Sequence, residues 1–400
     1  MKRVRHYIFL KDVLLLAFTA FGGPQAHIAL FLKVLVKKRA YLTEAELIEL
    51  NSFCQILPGP ASTQTLTAIG FKLGGPTLAF LTLITWIFPA VCLMTFLGIF
   101  LADFDIPILE YTRYIQIIAV GFVAYAAYKI SNTVVNSKAS TAILVVSAVS
   151  CYIVHSPAIF PFVIIVGGLL TSFKYRGQPV EEQREKLKIE WSNFILYAAI
   201  FVMAALLGHF TRDLENPAIS KVIRIFENCF RNGSLTFGGG EALAALFFKQ
   251  FVAFKQYLSR EEFLSGYGVL KSLPGPLFSF SSYVGALSMR EYGVSGQLAG
   301  SVMAAAGIFL PGTILIFFFI RFWERLKHYR VVRASLEGIN AASAGIVTST
   351  ALILFQPLII PGQAGIINYM VVGTTFLLLL FTKIPSPALI LLGLIAGFVF

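Results

Sequence analysis

Charge is what this sequence has least of. Of its 400 residues 13% are Asp, Glu, Lys or Arg, against about 25% in a soluble domain, while 57% are hydrophobic. No core of this size hides so much apolar surface, so a water-soluble globule is excluded and lipid must solvate the chain. Cysteine is scarce as well: Cys54, Cys92, Cys151 and Cys229 form no CxxC pair and lie in or beside apolar stretches. That spacing argues against a disulfide framework and against zinc, and leaves packing as their role. Catalytic signatures are missing too. There is no GxSxG, HExxH or P-loop, and no paired aspartate motif of an intramembrane protease, so neither an enzyme nor a cofactor or metal is expected. A cleavable leader is not evident either. The basic start (Lys2, Arg3, Arg5) enters an apolar stretch that contains Lys11 and Asp12 and ends at glycines without an A-x-A site, so the first segment is expected to stay.

What is present is apolar runs of transmembrane length. Residues 139–173 and 363–400 are continuously apolar instead of alternating with period two, which selects helices over a barrel. The net charge of +12 comes from Lys and Arg beside these runs, and marks topology and contacts with anionic lipids, with no nucleic-acid partner. The expected fold class is an all-α polytopic membrane protein.

The chain also repeats itself. FGGPQAHIALF at 21–31 returns as FGGGEALAALF at 237–247, YLTEAEL at 41–47 as YLSREEF at 257–263, and LPGP at 57–60 returns unchanged at 273–276. All three pairs are 216 residues apart, which implies duplication. Further on the spacing drifts, with Pro89 answering Pro311 and Gly121 answering Gly338. The expected organisation is a first repeat at 1–173, a cytoplasmic linker at 174–190, an extra span at 191–211 and a second repeat at 212–400.

Equivalent loops carry opposite charge. Residues 101–113 hold Asp103, Asp105, Glu110 and Arg113, a net −2, whereas 321–333 hold Arg321, Glu324, Arg325, Lys327, Arg330 and Arg333, a net +4. Because Lys and Arg are retained on the cytoplasmic side, the two repeats are expected to be inverted in the membrane, with the odd span between them turning the second over. The N-terminus is then inside. One conflict stands against this topology: Lys249, Lys255 and Arg260 would fall on the outer side. Crossings are expected at about 74–103, 111–133, 139–155 and 157–173, with the same order after 212.

Gly22-Gly23-Pro24 and Pro58-Gly59-Pro60 interrupt the first half, and Gly238-Gly239-Gly240 and Pro274-Gly275-Pro276 the second. Proline removes a donor and clashes with the preceding turn, so these sites break helices into half-helices, re-entrant or fully spanning. Irregular backbone at membrane depth needs protein around it or a polar cavity, and a helix start there offers unpaired N–H groups to an anion. Four such breaks can gather near the midplane. Donors follow each Pro-Gly-Pro: Ser62, Thr63 and Gln64 after the first, Ser279, Ser281 and Ser282 after the second. The plainer reading of the glycines is close helix packing.

Ionisable residues lie beside the breaks. Lys271 takes the repeat position of Gln55 and either touches an anion or pairs with Glu241, which takes that of Gln25. Glu241 and His27 are the proton-coupling candidates, His27 with the alternative of a structural donor. Lys72 lies near a helix end, where snorkelling is expected.

FGGPQAHIALF with LPGPASTQ, and FGGGEALAALF with LPGPLFSF, resemble the paired signatures of the chromate ion transporter (CHR) family in its long two-domain form. The resemblance covers nearly the whole chain. It departs at Lys271, where Gln is expected, and at Glu241. It implies a multi-pass protein of the cytoplasmic (inner) membrane that exports chromate, driven by the proton motive force, with sulfate as the look-alike substrate. The breaks, Gln55, the hydroxyl and amide residues after them and Lys271 are, from the helix breaks and the repeat, the expected lining of the substrate site. Expected partners are the oxyanion, protons and lipids, with a homodimer left open. A passive oxyanion channel, a sulfate-type uptake carrier and a non-transporting membrane subunit are the alternatives.

Overall fold

The apolar runs fold as helices, and among the described residues there is no strand. The structure is a computed structural model that describes residues 2–103, 112–154, 156, 158–173, 195–196, 198–200, 202–203, 206, 216–237, 239–320, 330–382 and 384–399. The first half runs through α1 (Lys2–Thr19), α2 (Gly23–Phe31), a π-helix (Leu32–Lys38), α3 (Glu44–Ile56), α4 (Ala61–Asp103), α5 (Arg113–Val134), α6 (Lys138–Ile153) and α7 (Ile159–Ser172). The second half follows with α8 (Pro217–Leu235), α9 (Gly240–Phe247), a π-helix (Phe248–Phe254), α10 (Arg260–Leu270), a 3-10 turn (Leu277–Ser279), α11 (Phe280–Ser288), α12 (Gly293–Phe319), α13 (Arg330–Phe355), α14 (Gln363–Phe381) and α15 (Ser386–Val399). The expected linker 174–190 and most of the expected span 191–211 lie outside the described residues.

Five described helical stretches are long and apolar enough to cross a membrane: 61–102, 113–134, 290–319, 334–358 and 363–381. The first is two helices joined end to end, since Gly74 (φ −154°, ψ 17°) and Gly75 (φ 73°, ψ −165°) leave helical geometry. α6 and α7 match the expected crossings in position but have 16 and 14 residues, fewer than the ~20 that span the hydrocarbon core.

The duplication extends to backbone conformation at the same offset of 216. Both half-helices after the glycine breaks widen into π-helices, at Leu32–Lys38 and Phe248–Phe254. Each π-helix is followed by a non-glycine residue at positive φ, Ala40 at 51° and Gln256 at 53°. Each next helix opens with a capping box, Thr43 with Glu46 and Ser259 with Glu262, in which hydroxyl and carboxylate satisfy each other's backbone N–H. Gly59 and Gly275, the centres of the two Pro-Gly-Pro motifs, stand at φ 112° and 101°.

Helix packing divides the chain into two compact units, and each draws on both halves. One unit holds α1–α4, α8, α11 and α12. Within it α1 packs on α4, its repeat copy α8 packs on α12, and α11 packs on both α4 and α12. The other holds α5–α7, α9, α10 and α13–α15. There the packing is reciprocal. α5 lies against α14 and α15 of the second half, and α13 against α6 and α7 of the first. Small residues permit this approach, as apolar helices in lipid require: Gly121 abuts Val372 and Thr375, while Gly338 abuts Gly167 and Gly345 abuts Leu144 and Ser147.

Candidate functional site

In the first unit the chain leaves α1 at Ala20 and re-enters helix at α2 through two residues that only glycine suits, Gly22 (φ 92°) and Gly23 (φ 77°). Pro24 follows within the first turn, where its missing N–H is no loss. No side chain caps this helix start. The 3-10 turn after Pro276 is also uncapped. The contrast is with α3 and α10, which carry full capping boxes.

The Ala20 carbonyl ties the break together. It accepts the N–H of Gly275, at the centre of the second Pro-Gly-Pro, at 2.9 Å, and His27 Nε2 at 3.2 Å. His27 is 1% exposed. Because a carbonyl can only accept, Nε2 carries the proton, and Nδ1 of the neutral ring therefore accepts from the Ser62 hydroxyl at 3.0 Å. Ser62 belongs to the turn of helix that follows the first Pro-Gly-Pro. Trp86 fixes the ring from the side, edge to face at 5.3 Å, and donates its indole N–H to Thr63 Oγ1 at 3.1 Å. The first Pro-Gly-Pro packs on α12: a Cβ on Gly59 would meet the Gln64 amide and the Gly312 Cα.

Three of the four expected breaks, Gly22-Gly23-Pro24 and both Pro-Gly-Pro motifs, thus belong to one unit, joined by the Ala20–Gly275 and His27–Ser62 hydrogen bonds. Several expected donors are turned onto the protein itself. Gln64 Nε2 donates to Pro58 O at 2.7 Å and Ser279 Oγ to Pro276 O at 2.7 Å, and Thr63 receives Trp86. Others keep free valence. The hydroxyls of Ser281 and Ser282 are buried without a hydrogen-bond partner among the described residues, as is the Gln64 Oε1, which can only accept. Gln55 is exposed on α3. Lys72, expected to snorkel, pairs with Glu46 at 2.5 Å.

The second glycine break lies in the other unit. Gly239 (φ 92°) precedes α9 without a side-chain cap, and Gly240 begins the helix. Gly238 and the Glu241 side chain lie outside the described residues, as does any pair between Glu241 and Lys271. Lys271 ends α10, half-buried, with its ammonium 5.1 Å from the Tyr267 ring centre. Among the described residues no group of His, Cys, Asp or Glu side chains can hold a metal ion.

Sequence reasoning missed Trp86, a lone indole in an apolar run, and Gly312, one small residue among many. It also left Lys249, Lys255 and Arg260 as charges on the outer side of the expected topology, without foreseeing the burial of Lys249. Lys249 is 4% exposed, and Arg260 is half-buried with its guanidinium donating to the Leu354 carbonyl. Both stems lead into helix packing.

The family's sequence model, described as chromate transporter, matches residues 8–172 and 223–398. The chain belongs to the chromate transporter family. Among similar proteins are an uncharacterized transporter of Methanocaldococcus jannaschii, 25% identical over 96% of this chain and 91% of that protein, and the chromate transport protein of Cupriavidus metallidurans, 24% identical over 94% and 89%. A chromate transport protein of Pseudomonas aeruginosa is 24% identical over 84% of this chain and 78% of its own length. No solved structure matches the chain. Glycines of the FGG and PGP motifs, Gly22, Gly23, Gly59, Gly239 and Gly275, all stand at positive φ within the matched regions.

Proposed function

We propose that this protein is a secondary carrier that moves chromate, and sulfate as its structural analogue, across the cytoplasmic membrane, exporting chromate at the expense of the proton gradient and so conferring resistance. The observation that carries this reading is the bonding of Ala20 to Gly275 and His27, which joins the glycine break of the first repeat to the proline break of the second. Helix starts without caps, and buried serine hydroxyls without partners, suit a tetrahedral anion that needs several weak donors and no tight counter-ion. The substrate-site assignment is Gly22, Gly23, Pro24, Pro58, Gly59, Pro60, Ser62, Thr63, Gln64, Pro274, Gly275, Pro276 and Ser279. Gln55, Gly238, Gly239, Gly240 and Lys271 belong to the same assignment by the repeat.

His27 provides a route for proton coupling. A proton added at Nδ1 turns that nitrogen from acceptor to donor, so Ser62 then accepts from it and its own hydroxyl hydrogen is freed for another acceptor, such as an anion at the break. The protonation state of His27 then sets how many donors the break presents. Glu241 is the second coupling candidate.

Uptake into proteoliposomes, comparing chromate, sulfate and molybdate with and without an imposed pH gradient, tests substrate and coupling together. Uphill chromate movement that collapses with the gradient is the expected result. Downhill flux indifferent to the gradient would make the protein an oxyanion channel, and absence of flux for all three anions would remove the transport reading.

A further inference from the structure

Lys249 is the most anomalous charge among the described residues. It is 4% exposed, on the π-helix Phe248–Phe254 that continues α9, beside a core cluster of Ile143, Cys151, Phe160, Val163, Leu246 and Ala342. Its ammonium donates to the Cys151 carbonyl near the C-terminal end of α6 and lies 5.4 Å from the centre of the Phe160 ring. No carboxylate pairs with it among the described residues. An ammonium has three N–H donors, and one carbonyl takes one of them.

Burying an unpaired cation in a membrane protein costs several kcal/mol, and intramembrane charges that persist face substrate or proton pathways. The carbonyl and the aromatic face each ease that cost by a fraction, since both offer only partial negative charge. Neither supplies a counter-ion. The repeat counterpart, Lys33, occupies the same place in the first π-helix and is exposed, so it meets no such cost. Both lysines follow a half-helix with an uncapped start, and π-helices concentrate at functional sites. The buried member of the pair thus combines an ammonium, two donor positions unfilled among the described residues and an apolar surround.

We infer that Lys249 is an anion-binding residue, whose ammonium takes the tetrahedral oxyanion as its missing counter-ion at one stage of passage through the second unit. The inference rests on the transport reading above and deepens it. An ammonium supplies a full positive charge, which hydroxyl and amide donors do not. A dianion of chromate or sulfate neutralised at Lys249 retains one negative charge, so it is not trapped there.

The test uses the full-length protein and the substitution Lys249→Met, which keeps the length of the side chain and removes its charge. Chromate binding to the purified protein is expected to weaken by about tenfold or more, the scale of a lost charge-assisted hydrogen bond. The melting temperature should hold or rise, because the buried charge is gone. Lys249→Arg should recover part of the binding, and Lys33→Met should leave it unchanged. Wild-type binding and transport by Lys249→Met would overturn the inference while leaving the carrier reading intact. Were that variant to misfold, reductive methylation of the unaltered protein decides the matter by mass spectrometry: chromate should slow modification of Lys249, and equal rates with and without chromate would refute the assignment. An unaltered protein that moves no oxyanion would instead sink the transport reading itself.

Discussion

At the scale of single residues, the break around Ala20 makes two kinds of demand, conformational and chemical. Gly275 meets both, with φ at 101° and a neighbour, Ala90 Cβ, 2.9 Å from where its own Cβ would stand. Gly275→Ala should therefore cost about 1–3 kcal/mol from the left-handed strain alone, with more from the displaced contact. A lower melting temperature in detergent together with reduced chromate flux is the outcome expected, and an unchanged melting curve would show that the break is not held as described. His27 meets the chemical demand. Glutamine at this position can still donate to Ala20 but cannot take up a proton, so His27→Gln should preserve folding while flattening the dependence of transport on pH. A pH profile identical to that of the parent would assign His27 to structure alone. Ser62→Ala separates the two roles further, since it removes the hydroxyl whose direction the imidazole governs and leaves the Ala20 contact in place.

Elements show which features were legible in the sequence and which were not. The capping boxes could be read directly, because T-x-x-E and S-x-x-E place a hydroxyl and a carboxylate three residues apart at a helix start. Thr43→Ala should lower stability by about 0.5–2 kcal/mol, as loss of an N-cap does. The carboxylate adds a pH signature. Glu46 is held at about 2 by the Lys72 ammonium and the Thr43 N–H, well below its ordinary value. A depressed carboxylate stabilises the folded state above its unfolded pKa of about 4.5, and that contribution fades as pH falls toward 2. Melting temperatures followed from pH 6 down to about 3 should fall less steeply for Glu46→Gln than for the parent; parallel curves would mean that the ion pair is too exposed to matter. Helix breaks at glycine and proline were equally legible, since steric exclusion acts locally. The π-helices were not. Their sequences, LKVLVKK and FKQFVAF, share no pattern that separates them from α-helix, and the wider turn is imposed by what packs around it. For the same reason the burial of Lys249 was invisible: a lysine flanked by apolar residues reads as a loop-edge charge until the neighbouring helices are placed.

At the scale of the whole molecule, the repeat found by sequence identity is repeated in backbone angles, capping and π-helices, yet packing does not keep the halves apart. Each compact unit takes helices from both, as α5 on α14 and α13 on α7 illustrate. Exchange of that kind fits gene duplication followed by pairing, and by itself it allows either relative orientation of the copies. Orientation rests on the charge of the equivalent loops, −2 against +4, whose central residues lie outside the described helices. Of the three basic residues that stand against inversion, Lys249 and Arg260 are engaged with backbone carbonyls inside the protein. Direct labelling decides the point. Cys54, Cys151 and Cys229 are buried and Cys92 is exposed, so a Cys92→Ser background leaves little native reactivity toward a membrane-impermeant maleimide. Single cysteines substituted at Asp105 and at Lys327 should then label from opposite faces in intact cells and inside-out vesicles, Asp105→Cys from outside and Lys327→Cys from the cytoplasm. If both react from the same face, the two repeats are parallel, and the transport cycle cannot rest on exchanging the roles of two inverted halves.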